Sequence, residues 1–348
     1  MAYTTINKST EHFNTKLYSG DGGTQSVTGV GFQPDFTWLK SRSAGYHNRL
    51  FDAVRGAGKN LISDNTNAEQ TVDEGVTAFN SDGFSVKQGG TIEANNSSHT
   101  YVSWNWKAGT GQGSSNTDGS INTTYTSVNT TAGFSICKYT GTGANATVGH
   151  GLGAEPKCII FKVLDSATDW RMYHVGVGNT GALTLNNNNA TQTNSVFFQD
   201  TTPTSSVFSI GTGSDVNTSS QSHIAYCFAE KTGYSKFGSY TANGSADGNF
   251  IYTGFAPKFI ILKRTDTNGY NWVLYDDKRN TYNPWTNLLL PNLTNTEITS
   301  GGAIDFLSNG FKLRSASGAN PTTNQGTIIY MAFGQTIVGS NNIPATAR

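Results

Sequence analysis

The sequence predicts an all-β protein built from three repeated β-sandwich modules, jelly-roll-like and mostly antiparallel. Three observations predict it. Forty glycines stand against eight prolines in 348 residues, with no Gly-X-Y period, so turns rather than a collagen-like fibre explain the glycine content. The polar residues are mainly Ser, Thr and Asn, which suit turns and exposed strand faces. Finally, one pattern of glycine, proline, apolar run and lysine occurs three times.

The pattern is clearest at Gly254-Phe255-Ala256-Pro257-Lys258-Phe259-Ile260-Ile261-Leu262-Lys263, followed by Asn271-Trp272-Val273-Leu274-Tyr275-Asp276. Earlier copies run from Gly153 to Lys162, before Asp169-Trp170-Arg171, and from Gly31 to Lys40, before Asn48-Arg49-Leu50. In each, glycine lies three residues before the proline and lysine six after it. Glycine permits the tight turn, proline fixes its own φ, and the apolar run reads as a strand covered on both faces. Pro34, Pro156 and Pro257 precede Phe84, Phe208 and Phe311 by 50, 52 and 54 residues, and those precede Tyr101, Tyr226 and Tyr330 by 17, 18 and 19. Drift of one or two residues belongs in loops.

In chain order, residues 1–107 form the first module. A strand near Lys16-Leu17-Tyr18 runs into the turn Asp21-Gly22-Gly23, and Tyr101-Val102-Ser103-Trp104-Asn105-Trp106 alternates with strand period. Residues 108–133 hold few large apolar side chains and read as a Gly/Ser/Thr/Asn-rich linker that sets the first module apart. Residues 134–232 form the second module and 233–348 the third with a C-terminal tail, these two tightly joined.

Charge and cysteine content restrict function. Lysines and arginines number 23, matched by 23 acidic residues, so nothing favours a nucleic-acid partner. No run of 18 apolar residues suggests membrane insertion. Cys137, Cys158 and Cys227 cannot all pair, show no zinc spacing, and fit apolar packing in a reducing cytoplasm. The opening Met-Ala-Tyr-Thr-Thr-Ile lacks the apolar centre of a signal peptide. No nucleophile elbow, P-loop or histidine cluster appears, so no catalytic residue, metal site or cofactor is expected. Asp64, Glu69, Asp73 and Glu74 lack the ladder of a calcium loop and read as solvated.

Three further features are weighed. Lys40, Lys162 and Lys263 fit an end-of-strand role, with stems on the sheet and amines in water. Asp52 with Arg55 and Asp276 with Arg279 read as local turn-stabilising ion pairs, although the second copy has His174 and no matching arginine. Tyr270, Trp272, Tyr282 and Trp285 are the candidate glycan contacts, aromatic rings beside Asn and Asp that can stack on sugar C–H faces. For Trp272, core packing is the stronger alternative.

The opening residues, Phe13-Asn14-Thr15-Lys16-Leu17-Tyr18-Ser19-Gly20, the Gln33–Lys40 core, Arg49–Gly56 and the close from Ala332 to Gln335 and Asn341 to Arg348 resemble a family of β-rich virion structural proteins. Its members come from marine and cyanobacterial tailed bacteriophages. The resemblance implies a virion-surface protein assembled in the host cytoplasm: a tail fibre or appendage that presents host-binding loops. A capsid decoration protein is the alternative, and a glycan depolymerase the third. The implied partners are other virion proteins and a host surface glycan. Homo-oligomerisation is compatible with this but not encoded by any heptad.

Overall fold

The structure is a computed structural model that describes residues 4–300, 302–316, 326–336 and 338. The chain is all-β, and every strand pairing is antiparallel. Its first part contributes β1 (Phe13–Ser19), β2 (Thr24–Thr28), β3 (Phe36–Ser41), β4 (Arg49–Asp52), β5 (Lys59–Ile62), β6 (Gln70–Thr71), β7 (Gly75–Asn80), β8 (Gly83–Lys87) and β9 (Thr100–Trp106). Next come β10 (Tyr125–Asn129), β11 (Phe134–Thr140), β12 (Ala146–Gly149), β13 (Pro156–Val163), β14 (Arg171–His174), β15 (Gly181–Thr184), β16 (Gln192–Thr193), β17 (Val207–Ile210) and β18 (Ser222–Ala229). The last part holds β19 (Ser235–Thr241), β20 (Phe250–Tyr252), β21 (Phe255–Arg264), β22 (Val273–Asp276), β23 (Ile304–Leu307), β24 (Gly310–Leu313) and β25 (Thr327–Thr336).

These strands build three large sheets, ordered β1-β9-β3-β4-β5-β6, β10-β11-β18-β13-β14-β15-β16 and β19-β25-β21-β22. Each large sheet faces a small one: β2-β8-β7, β12-β17 and β20-β24-β23 respectively. The glycine three before each proline has positive φ, +92° at Gly31, +66° at Gly153 and +85° at Gly254, which explains why glycine stands there.

The apolar runs of β3, β13 and β21 are buried on both faces because each strand separates two cores. Trp38, Ile160 and Ile261 point into one core common to all three large sheets. Leu39, Phe161 and Leu262 point outward into separate cores beneath the small sheets. The register makes Trp106, Phe228 and Phe333 corresponding residues, paired with Phe36, Cys158 and Phe259. Their rings meet at the centre with centroids 5.8–6.3 Å apart. The first part of the chain is therefore not set apart. It packs into the same core as the other two.

Residues 108–133 also depart from the expected linker. Main-chain N–H groups of Ala108, Thr110 and Gly111 donate to the buried Asp35 carboxylate at 2.7, 3.1 and 2.8 Å. Farther on, β10 pairs along β11, and Ile121 enters the outer core of the second sheet. The stretch is integrated mainly by main-chain and short polar side-chain bonds, which a count of large apolar residues cannot detect. The register corrects a second detail: Tyr226 corresponds to Trp104 and Met331, all facing the common core, whereas Tyr101 and Tyr330 face the outer ones.

The lysine and tryptophan bonds between units run in one cyclic direction. The Lys40 ammonium donates to the carbonyls of Tyr46 and, at 2.8 Å, Thr294. Lys162 donates to Thr168 and, at 3.1 Å, Thr66; Lys263 donates to Tyr270, Arg264 and, at 3.4 Å, Asn188. Each lysine so ties its own loop to the neighbouring unit. The amines do not reach water as the sequence suggested: all three residues are buried, and burial lowers each amine's pKa to about 8. Trp170 Nε1 donates to Ile62 O at 2.7 Å and Trp272 Nε1 to Thr184 O at 3.0 Å, while Asn48 donates to Leu290 and Leu293.

The Asp-x-x-Arg pairs are buried ion pairs, with Arg55 Nε 2.5 Å from Asp52 and Arg279 Nε 2.6 Å from Asp276. Each aspartate also accepts from the adjoining sheet, Asp52 from the Tyr226 hydroxyl at 2.7 Å and Asp276 from Trp104 Nε1 at 3.0 Å. At the third seam stands His174, whose Nε2 lies 3.1 Å from Tyr330 O while Gly176 N–H donates to Nδ1. That arrangement requires a neutral ring, and burial lowers its pKa to about 4.

Protonation of His174 is thus easier in the unfolded chain, where the ordinary value is about 6.5. Stability falls as pH drops from about 6.5 towards 4, since the unfolded state binds the proton first. For His174 alone the loss is on the order of 3 kcal/mol. Urea denaturation across this range should show a shallower decline for His174→Gln than for the wild type; parallel declines would remove His174 as the cause.

Candidate functional site

A concavity lies on the outer side of the third large sheet. It is a cleft of about 230 Å³ between the end of β21, the loop at Gly269–Asn271 and the segment from Leu288 to Ile298. Leu262, Val273, Leu288, Leu290 and Ile298 make its apolar lining. Its polar edge is formed by Arg264, Tyr270 and Asn271. This mixture of apolar surface and a few polar groups is typical of small-ligand sites.

Tyr270 is held from two directions. Its carbonyl accepts from Lys263 Nζ at 2.7 Å, and the Arg264 guanidinium carbon lies 4.4 Å from its ring centroid. Arg264 is itself fixed by two bonds of 3.0 Å to the Asp266 carboxylate. One face of the ring is thereby occupied by a cation, a favourable arrangement. Among the described residues that line the cleft there is no carboxylate. The cleft is suited to holding a ring-shaped ligand by stacking and hydrogen bonding.

The four aromatic candidates do not form one site. Tyr270 lines the cleft, and Tyr282 is 77% exposed on a separate loop. Trp272 and Trp285 are buried and cannot contact a glycan. Trp272 packs in the common core and bonds Thr184 of the neighbouring sheet; Trp285 stacks on Phe306 with centroids 5.4 Å apart. An indole beside polar residues in sequence resembles an exposed ring until the neighbouring sheet is placed over it. The cleft's apolar wall at Leu288, Leu290 and Ile298 was missed because it comes from an irregular segment. Its only sequence signal is Leu288-Leu289-Leu290.

The acidic residues at 64–74 are occupied structurally. Asp64 contacts His47, Glu69 pairs with Arg55 and Lys59, Asp73 pairs with Lys87, and Glu74 accepts from Thr91 N–H. Among the described residues no cluster of three His, Cys, Asp or Glu side chains could hold a metal ion. The three cysteines are free and buried.

Residues 8–336 match the model of a family described as a domain of unknown function (DUF7483). The chain belongs to that family. One match extends over all three large sheets, so the DUF7483 unit is the whole three-sheet body rather than one sandwich. No curated protein and no solved structure matches.

Replacing Trp272 or Trp285 by Ala should cost about 3–5 kcal/mol in chemical denaturation, the range for buried large aromatics. Tyr282→Ala should stay within about 0.5 kcal/mol, as expected for an exposed position. A small cost at either tryptophan would contradict its place in the core.

Proposed function

We propose that the protein is a virion structural component, a tail fibre or other surface appendage, and that the cleft at Tyr270 binds a sugar ring of the host surface. The chain's resemblance to phage virion proteins supports the setting. The observation that carries the binding assignment is an apolar cleft of about 230 Å³ with a tyrosine stacked on arginine at its edge. The three pairs of large and small sheets are read as copies of one jelly-roll-like sandwich. Their shared strand order and the threefold recurrence of glycine, proline and lysine support that reading. Joined through one core, they give a rigid body on which loops keep fixed positions.

The described polar interior supports a structural role. The buried lysines and both Asp-Arg pairs bond loops and neighbouring sheets, and their hydrogen bonds hold the body together. The cleft offers a place where a ligand can be recognised.

Immunogold labelling of intact particles with antibody against the chain should mark the tail. Label over the head would instead assign it to capsid decoration, and unlabelled particles would overturn the virion reading. Titration with host-surface oligosaccharides should show saturable binding without release of reducing ends. Tyr270→Ala should weaken that binding by about tenfold or more, the loss of a stacking anchor. Equal affinity in the variant would remove the cleft as the binding site.

A further inference from the structure

The outer strands of the three small sheets are treated in three different ways. By register, Ser26, Thr147 and Phe250 correspond, as do Thr28, Gly149 and Tyr252, because Val27, Val148 and Ile251 pair with Phe84, Phe208 and Phe311. On β2 the outward positions are the exposed polar residues Ser26 and Thr28. On β12 the edge is covered by the chain itself. Ile121 N–H donates to Thr147 O at 3.0 Å, Thr147 N–H donates to Ser120 Oγ at 2.9 Å, and Ile121 bridges Val148. Gly149 permits this cover, since a Cβ there would fall 1.6 Å from Asn116 Oδ1.

On β20 the corresponding positions are aromatic and open. Phe250 is 47% exposed and Tyr252 53% exposed. The bonds from Leu313 N–H to Asn249 O and from Thr253 N–H to Asn309 O show that odd-numbered residues bond β24. In an antiparallel ladder the residues between them turn their N–H and C=O groups the other way. Phe250 and Tyr252 therefore present main-chain donors and acceptors at the sheet's open edge, where no described residue bonds them.

We propose that β20 is a self-association edge that pairs with β20 of a second copy of this chain. A twofold axis beside Ile251 sets Phe250 opposite Tyr252 of the second copy, and Tyr252 opposite its Phe250. That register forms four main-chain hydrogen bonds and two cross-strand aromatic pairs on one face. The edge is thus complementary to itself, as a twofold interface must be. Charge does not oppose it: the formal net charge is zero, and nearby Lys312 and Arg314 are matched by Asp247 and Asp305. Exposed aromatics on an unprotected edge are what a strand avoiding partners lacks, and β2 shows the protected form of the same position.

A three-residue strand makes a small interface, so association should be weak, with a dissociation constant on the order of 100 µM. Sedimentation equilibrium of the full chain from about 5 µM to 1 mM covers that range. The double variant F250S/Y252T installs the residues that β2 already carries at these positions, and an unchanged thermal melt verifies its fold. It should weaken association by about tenfold or more. Phe250→Pro removes the ring together with an edge N–H, while no bond to β24 is lost, and should also weaken it. Hydrogen exchange at the Phe250 and Tyr252 amides should slow as concentration rises. A chain that stays monomeric at 1 mM overturns the proposal, even if some other polypeptide binds the edge. So does an oligomer that the double variant leaves intact.

Discussion

The rings of Trp106, Phe228 and Phe333 close a triangle with centroid separations of 5.8–6.3 Å, one ring from each large sheet. Phe36 stacks on Tyr226 of the neighbouring sheet at 4.4 Å, and Phe13 packs on Phe259 and Phe333 of the third. A large sheet removed from this arrangement would expose an aromatic face to water, at a cost proportional to its apolar area. Much of the polar structure depends on this closure. The lysine, tryptophan and aspartate contacts between units have the right geometry only where the three inner faces meet.

The buried charges are stabilised as networks rather than as isolated groups. Asp52 and Asp276 each accept from an arginine and from a ring hydroxyl or indole of the next sheet. Removing one partner of such a pair strands the other in the interior, which costs about 3–5 kcal/mol. Where His174 replaces the aspartate, the adjoining sheet offers Met331 at the position of Trp104 and Tyr226, a side chain with no strong donor. An unpaired carboxylate there would be costly. The imidazole instead reaches the Tyr330 carbonyl. The missing arginine in the second copy is thus matched by a change on the facing strand.

Much of the strand architecture was legible because the apolar runs around Pro34, Pro156 and Pro257 report burial on both faces. Their spacing to Phe84, Phe208 and Phe311 also found the paired strands of the small sheets. Sequence could not show that Trp38, Ile160 and Ile261 face the same core, because alternation tells which face is buried but not what covers it. The error at residues 108–133 arose similarly, since main-chain bonds to Asp35 leave no mark in composition. Of the candidate site, Tyr270 was legible as an aromatic in a polar loop. Trp272 and Trp285 share that sequence context but are covered by other segments. The Leu288–Ile298 wall required long-range placement.

A shared aromatic centre makes one demand of the whole molecule: the three large sheets must lose structure together. Differential scanning calorimetry of the full chain tests this most directly. A single transition, with calorimetric and van't Hoff enthalpies equal, is the result that follows if the common core holds the units. Two or three separable transitions, or a calorimetric enthalpy several times the van't Hoff value, would show independently stable sandwiches and contradict it.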